Sequence, residues 1–182
     1  MLNKGMSKAE IEEELRGKGD FVKVDYLNRY LKETPSIDMR KFAFLKMAEI
    51  YENKGTFIEA ARNYENAATS SLTFVEKIEY HIKECQSYIK GNEFVRADQA
   101  LKKAMVEANA TQRNEIYIKV KEFYKRMAEI YERESKRNHA VRIYEKLLLM
   151  RISDIEKKEI KDKLKGLYEK LGKIKEANKL GE

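Results

Sequence analysis

The heptapeptide KMAEIYE at Lys46–Glu52 returns, with one residue changed, as RMAEIYE at Arg126–Glu132. Self-similarity of this kind is the signature of a repeat architecture. Around the first copy, Phe44, Met47, Ala48 and Tyr51 fall at i, i+3, i+4 and i+7, the stripe that one face of an α-helix presents. Asn53-Lys54-Gly55-Thr56 then reads as a turn, and a second stripe runs Phe57, Ala60, Ala61, Tyr64, Ala67, Ala68. The unit is a helical hairpin, with small residues where its two helices must approach closely.

Working outward, the same unit recurs. His81, Glu84, Cys85 and Tyr88 precede a turn at Gly91-Asn92, then Phe94, Ala97, Leu101 and Ala104. Tyr124, Met127, Ala128 and Tyr131 precede Ser135-Lys136-Arg137, then Ala140, Tyr144 and Leu147. Leu164 and Tyr168 precede Gly172, then Ile174 and Ala177, while a weaker first unit holds Leu15, Gly19, Phe21, Val24 and Leu31. The anchors Tyr51, Tyr88, Tyr131 and Tyr168 are 37, 43 and 37 residues apart. About five hairpins are expected, over residues 7–34, 36–71, 73–110, 112–151 and 153–182, with 1–6 as a disordered leader. Ser7-x-x-Glu10, Thr56-x-x-Glu59, Thr73-x-x-Glu76 and Ser153-x-x-Glu156 read as capping boxes at helix starts. Pro35 breaks the chain between the first two hairpins, because proline disfavours helix in the residue before it.

Composition agrees with an all-α chain. Of 182 residues, 38% are charged, against a usual ~25%. One proline and eight glycines are too few for the many tight turns of an all-β chain. No apolar stretch approaches the roughly 18 residues of a transmembrane span. A single cysteine, Cys85, excludes an intramolecular disulfide framework and suits a reducing compartment. The start, MLNKGMSKAEIEEEL, has no apolar core of a secretory signal, so a cytoplasmic location is expected. The net charge of +7 is uneven: residues 1–91 hold 15 basic and 15 acidic side chains, residues 92–182 hold 23 and 16.

The pattern of aromatic, small residue and tyrosine on one helix, a Gly turn, then Ala-x3-aromatic-x2-Ala on the next resembles the tetratricopeptide repeat. It is carried by Phe44, Met47, Ala48, Tyr51, Gly55, Ala60, Tyr64 and Ala67. The spacing exceeds that family's 34 residues, and longer helices at such spacing look more like the soluble NSF attachment protein group of helical sheets. The resemblance implies a right-handed α-solenoid whose concave side is lined by the first helix of each hairpin. On that side it puts Phe42, Leu45, Glu49, Glu52 and Asn53, then Ile82, Gln86 and Ile89, then Lys125, Glu129 and Glu132, with further acidic residues in the last hairpin. The inner face is therefore expected to be acidic with an apolar end. The back, carrying Lys102, Lys103, Arg142, Lys146, Lys175 and Lys179, is expected to be basic. Leu45 and Glu49 stand where a carboxylate clamp of chaperone-binding relatives would need Lys and Asn.

Such a face suits a basic or amphipathic segment of a partner protein, making the chain a non-enzymatic adaptor. Binding of nucleic acid or an anionic membrane by the basic C-terminal half is the alternative, and the attachment-protein likeness would imply a role in membrane fusion. Chemistry is sparse. His81 and His139 lie in different units, and His81-x-x-Glu84-Cys85 reads as packing rather than a metal site. Gly17-Lys18-Gly19-Asp20 lacks the spacing of a phosphate loop and reads as a turn capped by Asp20. No cofactor or metal is expected. Ile174, Ala177 and Leu180 have no following helix, which suggests self-association through the last hairpin.

Overall fold

The alternation of apolar stripes and short turns becomes ten α-helices, with no strand, among the residues described by the computed structural model, 2–180. They are α1 (Lys8–Leu15), α2 (Asp20–Lys32), α3 (Ile37–Asn53), α4 (Phe57–Thr69), α5 (Phe74–Lys90), α6 (Phe94–Glu107), α7 (Ala110–Arg133), α8 (Arg137–Leu148), α9 (Asp154–Lys170) and α10 (Ile174–Lys179). The chain forms two compact units, Met1–Ile116 and Tyr117–Glu182, divided within α7.

In the first unit α2 to α6 pack in sequence, each on the next. Ala43, Ala48, Ala60, Ala61, Ala67 and Ala68 are all buried, so alanine sits where helix axes come close. In the second unit α8 packs on α9 and α9 on α10, around Ile143, Tyr144, Leu147, Ile160, Leu164 and Leu167. No helix among the described residues is long and apolar enough to cross a membrane.

Four turns are built alike. The carbonyl of each anchor, Tyr51, Tyr88, Tyr131 and Tyr168, accepts from the N–H five residues on, at 2.8–2.9 Å. The residue before that donor has positive φ: Gly55, Asn92, Ser135 and Gly172, at +58° to +74°, and its own N–H bonds the carbonyl three residues back at 3.0 Å. This pair of bonds is the Schellman helix stop, and it requires a left-handed residue at that place. In the third repeat the left-handed residue is Asn92, whereas Gly91 keeps φ −80°.

Other expectations are corrected. Leu2 is 3% exposed and belongs to the first core cluster, with Met6 against it. Residues 2–6 therefore dock on α1 to α3 instead of trailing as a disordered leader, because their two apolar side chains complete that core; Met1 lies outside the described residues. Ser7 and Ser153 form full capping boxes and Thr73 caps through its hydroxyl. Thr56 does not: its hydroxyl donates to the Tyr51 carbonyl at 3.0 Å, because the helix stop aims it backwards. Asp20 is the first residue of α2, not its cap. Asn109 and Gln112 make an unforeseen reciprocal cap at the start of α7, each side chain accepting from the other's N–H. Phe21, expected inside, is 82% exposed.

Candidate interaction surface

On α3 the expected inner residues do not form one open floor. α1 lies against this helix: Lys8 pairs with Asp38 and Lys46 with Glu12, both at 2.6 Å. The Phe42 ring sits on the first core cluster with the Lys8 and Lys46 ammonium groups 5.9 and 5.7 Å from its centroid. Leu45 packs against Ala67, Ala68 and Tyr80. Glu49 and Asn53 are exposed.

Glu52 serves the fold. Its carboxylate accepts from Tyr64 Oη at 3.1 Å, Ser87 Oγ at 3.1 Å and Lys90 Nζ at 2.9 Å. Burial alone would raise its pKa, but these three donors hold it below the ordinary carboxylate value. Ile82 and Ile89 are 7% and 0% exposed, so the apolar end expected of them is core, not surface. Gln86 is half-buried. In the second unit Glu132 accepts a short hydrogen bond from Tyr144. Lys125 bonds Glu122 at 3.1 Å and Glu156 at 2.5 Å. Glu129 is exposed, 3.6 Å from Lys163.

What α1 and α3 leave between them is a cleft of about 360 Å³ lined by Glu12, Leu15, Arg16, Lys23, Lys46, Glu49, Ile50 and Asn53. Lys46 bridges its two carboxylates, 2.6 Å from Glu12 and 3.5 Å from Glu49. Leu15 is buried and Ile50 half-buried, so the floor is apolar and the rim carries both signs of charge. Glu49 and Asn53 were legible from the repeat register. Glu12, Arg16 and Lys23 were not, since nothing in the sequence shows which faces of α1 and α2 turn toward α3. In the second unit a smaller cleft of about 70 Å³ lies among Lys125, Glu129, Tyr144, Glu156, Glu159, Ile160 and Lys163.

Another charged cluster is centred on a buried carboxylate. Glu84, 1% exposed, bonds His81 Nδ1 at 2.8 Å and Lys103 Nζ at 2.9 Å, and Lys103 also reaches Glu65 at 2.6 Å. Lys103, expected on a free basic back, is thus tied into the first unit. Cys85 is buried beside it in sequence. Of the three residues expected at the C-terminal end, Ile174 is 54% exposed, Leu180 half-buried and Ala177 buried.

The chain matches no protein-family model. A search of curated proteins finds no significant match either.

Proposed function

We propose that the chain is a non-enzymatic, tetratricopeptide-like adaptor that binds a short amphipathic segment of a partner protein in the α1–α3 cleft. The observation that carries this reading is the cleft itself, where Glu49 and Asn53, chosen by repeat register, stand exposed over Leu15 and Ile50. An apolar side chain of the segment covers Leu15 and Ile50. A lysine or arginine beside it meets Glu49, which is the freer of the two carboxylates because Glu12 is held more closely by Lys46. Arg16, which also pairs with Glu13 at 2.8 Å, and Lys23 line the same cleft and favour an acidic residue elsewhere in the segment. This narrows a generally basic ligand to one carrying both charges.

Support for a non-catalytic role comes from the use made of the polar groups. The most buried ones, Glu84 and Ser87, bond neighbouring helices. The right-handed solenoid of about five hairpins is part of the same reading, supported by the four identical helix stops. A cytoplasmic setting goes with it, supported by a single, buried thiol.

Panning a displayed library of random dodecapeptides on the wild type and on Glu49→Lys/Asn53→Lys tests the proposal. The wild type should enrich peptides with a basic residue next to an apolar one, and the double variant should lose them while keeping its helical circular dichroism. Equal enrichment on both proteins, or none on the wild type, overturns it.

A further inference from the structure

The α8–α9 loop departs from the polar composition that exposed loops carry. The end of α8 and the loop, residues 147–152, read Leu-Leu-Leu-Met-Arg-Ile, and the loop's own part of it holds three apolar residues and one arginine. The core uses Leu147, which is fully buried, but Leu149 is 83% exposed and Ile155, in the first turn of α9, is 74% exposed. Ile118 of α7 is 47% exposed. Tyr117 ties these segments together: the Arg151 N–H donates to its Oη at 2.6 Å, and the Arg151 guanidinium lies 5.3 Å from its ring centroid. Exposed aliphatic side chains therefore gather at one end of the second unit.

Cations surround them. Lys119, Arg151, Lys157 and Lys158 are all exposed. Of the carboxylates in the same turns, Glu156 is held by Lys121 and Lys125 at 2.8 and 2.5 Å, and Glu122 by Lys125. Asp154 and Glu159 remain exposed there. The wider balance points the same way. Residues 1–116 hold 19 basic and 19 acidic side chains, whereas residues 117–182 hold 19 and 12, so the second unit carries the whole net charge of +7.

We propose that this end of the second unit docks on an anionic lipid surface. Leu149 and Ile155 enter the boundary of the acyl chains, and Lys119, Arg151, Lys157 and Lys158 stay among the headgroups. Leucine and isoleucine have no flat face for stacking bases, which sets this patch apart from a single-stranded nucleic-acid platform. The proposal is independent of the α1–α3 cleft, which lies in the other unit.

Co-sedimentation of the full chain with vesicles tests it. Binding is expected to phosphatidylcholine vesicles containing about 30% phosphatidylserine at low ionic strength, and to fall as salt is raised. Pure phosphatidylcholine vesicles should bind far less. Leu149→Ser/Ile155→Ser should weaken binding roughly tenfold or more, and because both side chains are exposed this variant should fold as the wild type does. Lys157→Glu/Lys158→Glu should abolish binding at the same salt. Absence of binding at low salt, or binding unchanged in Leu149→Ser/Ile155→Ser, overturns the proposal. So does a DNA duplex or RNA strand that binds the chain while the vesicles do not.

Discussion

The phenol of Tyr64 donates to the carboxylate of Glu52, and twelve residues likewise separate Tyr144 from Glu132, which make the same bond. In each case the carboxylate follows the anchor tyrosine by one residue and the phenol lies in the next helix, so the bond crosses the turn. The third repeat has Ile89 and Leu101 at these two places, both buried. At these three turns polar partners occur together and apolar partners occur together. The pair is thus one structural choice made twice over two sites, and the acidic half of it is not a surface charge.

Tyr144→Phe should lower stability by about 1.5 to 3 kcal/mol, the range for a hydrogen bond to a charged group. Glu132→Ile should cost a similar amount. The double variant Glu132→Ile/Tyr144→Leu, which copies the third repeat, should cost less than the two single effects added together. Urea denaturation in a double-mutant cycle reads the coupling, and simple additivity would contradict the pairing.

Burial first, and then the neighbouring carboxylate, push the phenols of Tyr64 and Tyr144 well above their ordinary value of 10. The folded state therefore holds these protons more tightly than the unfolded chain does. The stability this supplies is fully present below pH 10 and is lost as pH rises toward the folded values. Thermal melts should show a decline setting in near pH 10, and Tyr64→Phe/Tyr144→Phe should make it shallower while lowering stability at neutral pH.

Ser135 occupies a left-handed position, φ +58°, that glycine holds in two of the other three helix stops. A side chain there costs about 1 to 2 kcal/mol relative to a right-handed conformation. Ser135→Gly should raise the melting temperature, and Gly55→Ala should lower it. Asn92→Gly should gain less, since asparagine tolerates this region better than most residues. A fall in stability for Ser135→Gly would show that its side chain does more than fill the turn.

Removing one side of the pair at the buried Glu84 should be worse than removing both. Lys103→Met leaves the buried Glu84 carboxylate with the His81 imidazole as its remaining side-chain hydrogen-bond partner and should cost about 1 to 3 kcal/mol, as for a buried polar group that loses a partner. Glu84→Met/Lys103→Met should recover most of that loss. Chemical denaturation of the three proteins gives the comparison, and equal loss in single and double variants would mean that Glu84 is not held by Lys103.

Acid should act elsewhere, at Glu156. Hydrogen bonds from Lys121 and Lys125 hold its carboxyl far below the ordinary range. A depressed folded pKa supplies stability above the unfolded value, and that stability is lost as pH falls through and below 4.5. Glu156→Gln should remove this part of the acid dependence, measured by helical signal between neutral pH and strong acid.

The register of the repeat was readable because burial in a helix has a period. Tyr88, Tyr131 and Tyr168 are buried where the stripes put them, and the turns fall four residues after each anchor. Exposure on the supposed concave face was less readable. Glu49 and Asn53 are exposed, but Ile82 and Ile89 are core and Glu52 and Glu132 are bonded inward. A carboxylate reads as polar in sequence whether it faces water or a buried phenol.

Local pattern alone determined an all-helical chain, its Tyr-anchored helix stops and the uneven placement of charge, because those depend on neighbours within a few positions or on simple counting. Only the tertiary structure decided that α1 shields Phe42 and opens a cleft at Glu49, that Glu84 is held inside by Lys103 from the next helix, and that Arg151 meets Tyr117. These are pairings between residues 19 to 34 positions apart. Which side chain answers which charge at that range is settled by how the helices pack, and no periodicity along the chain encodes it.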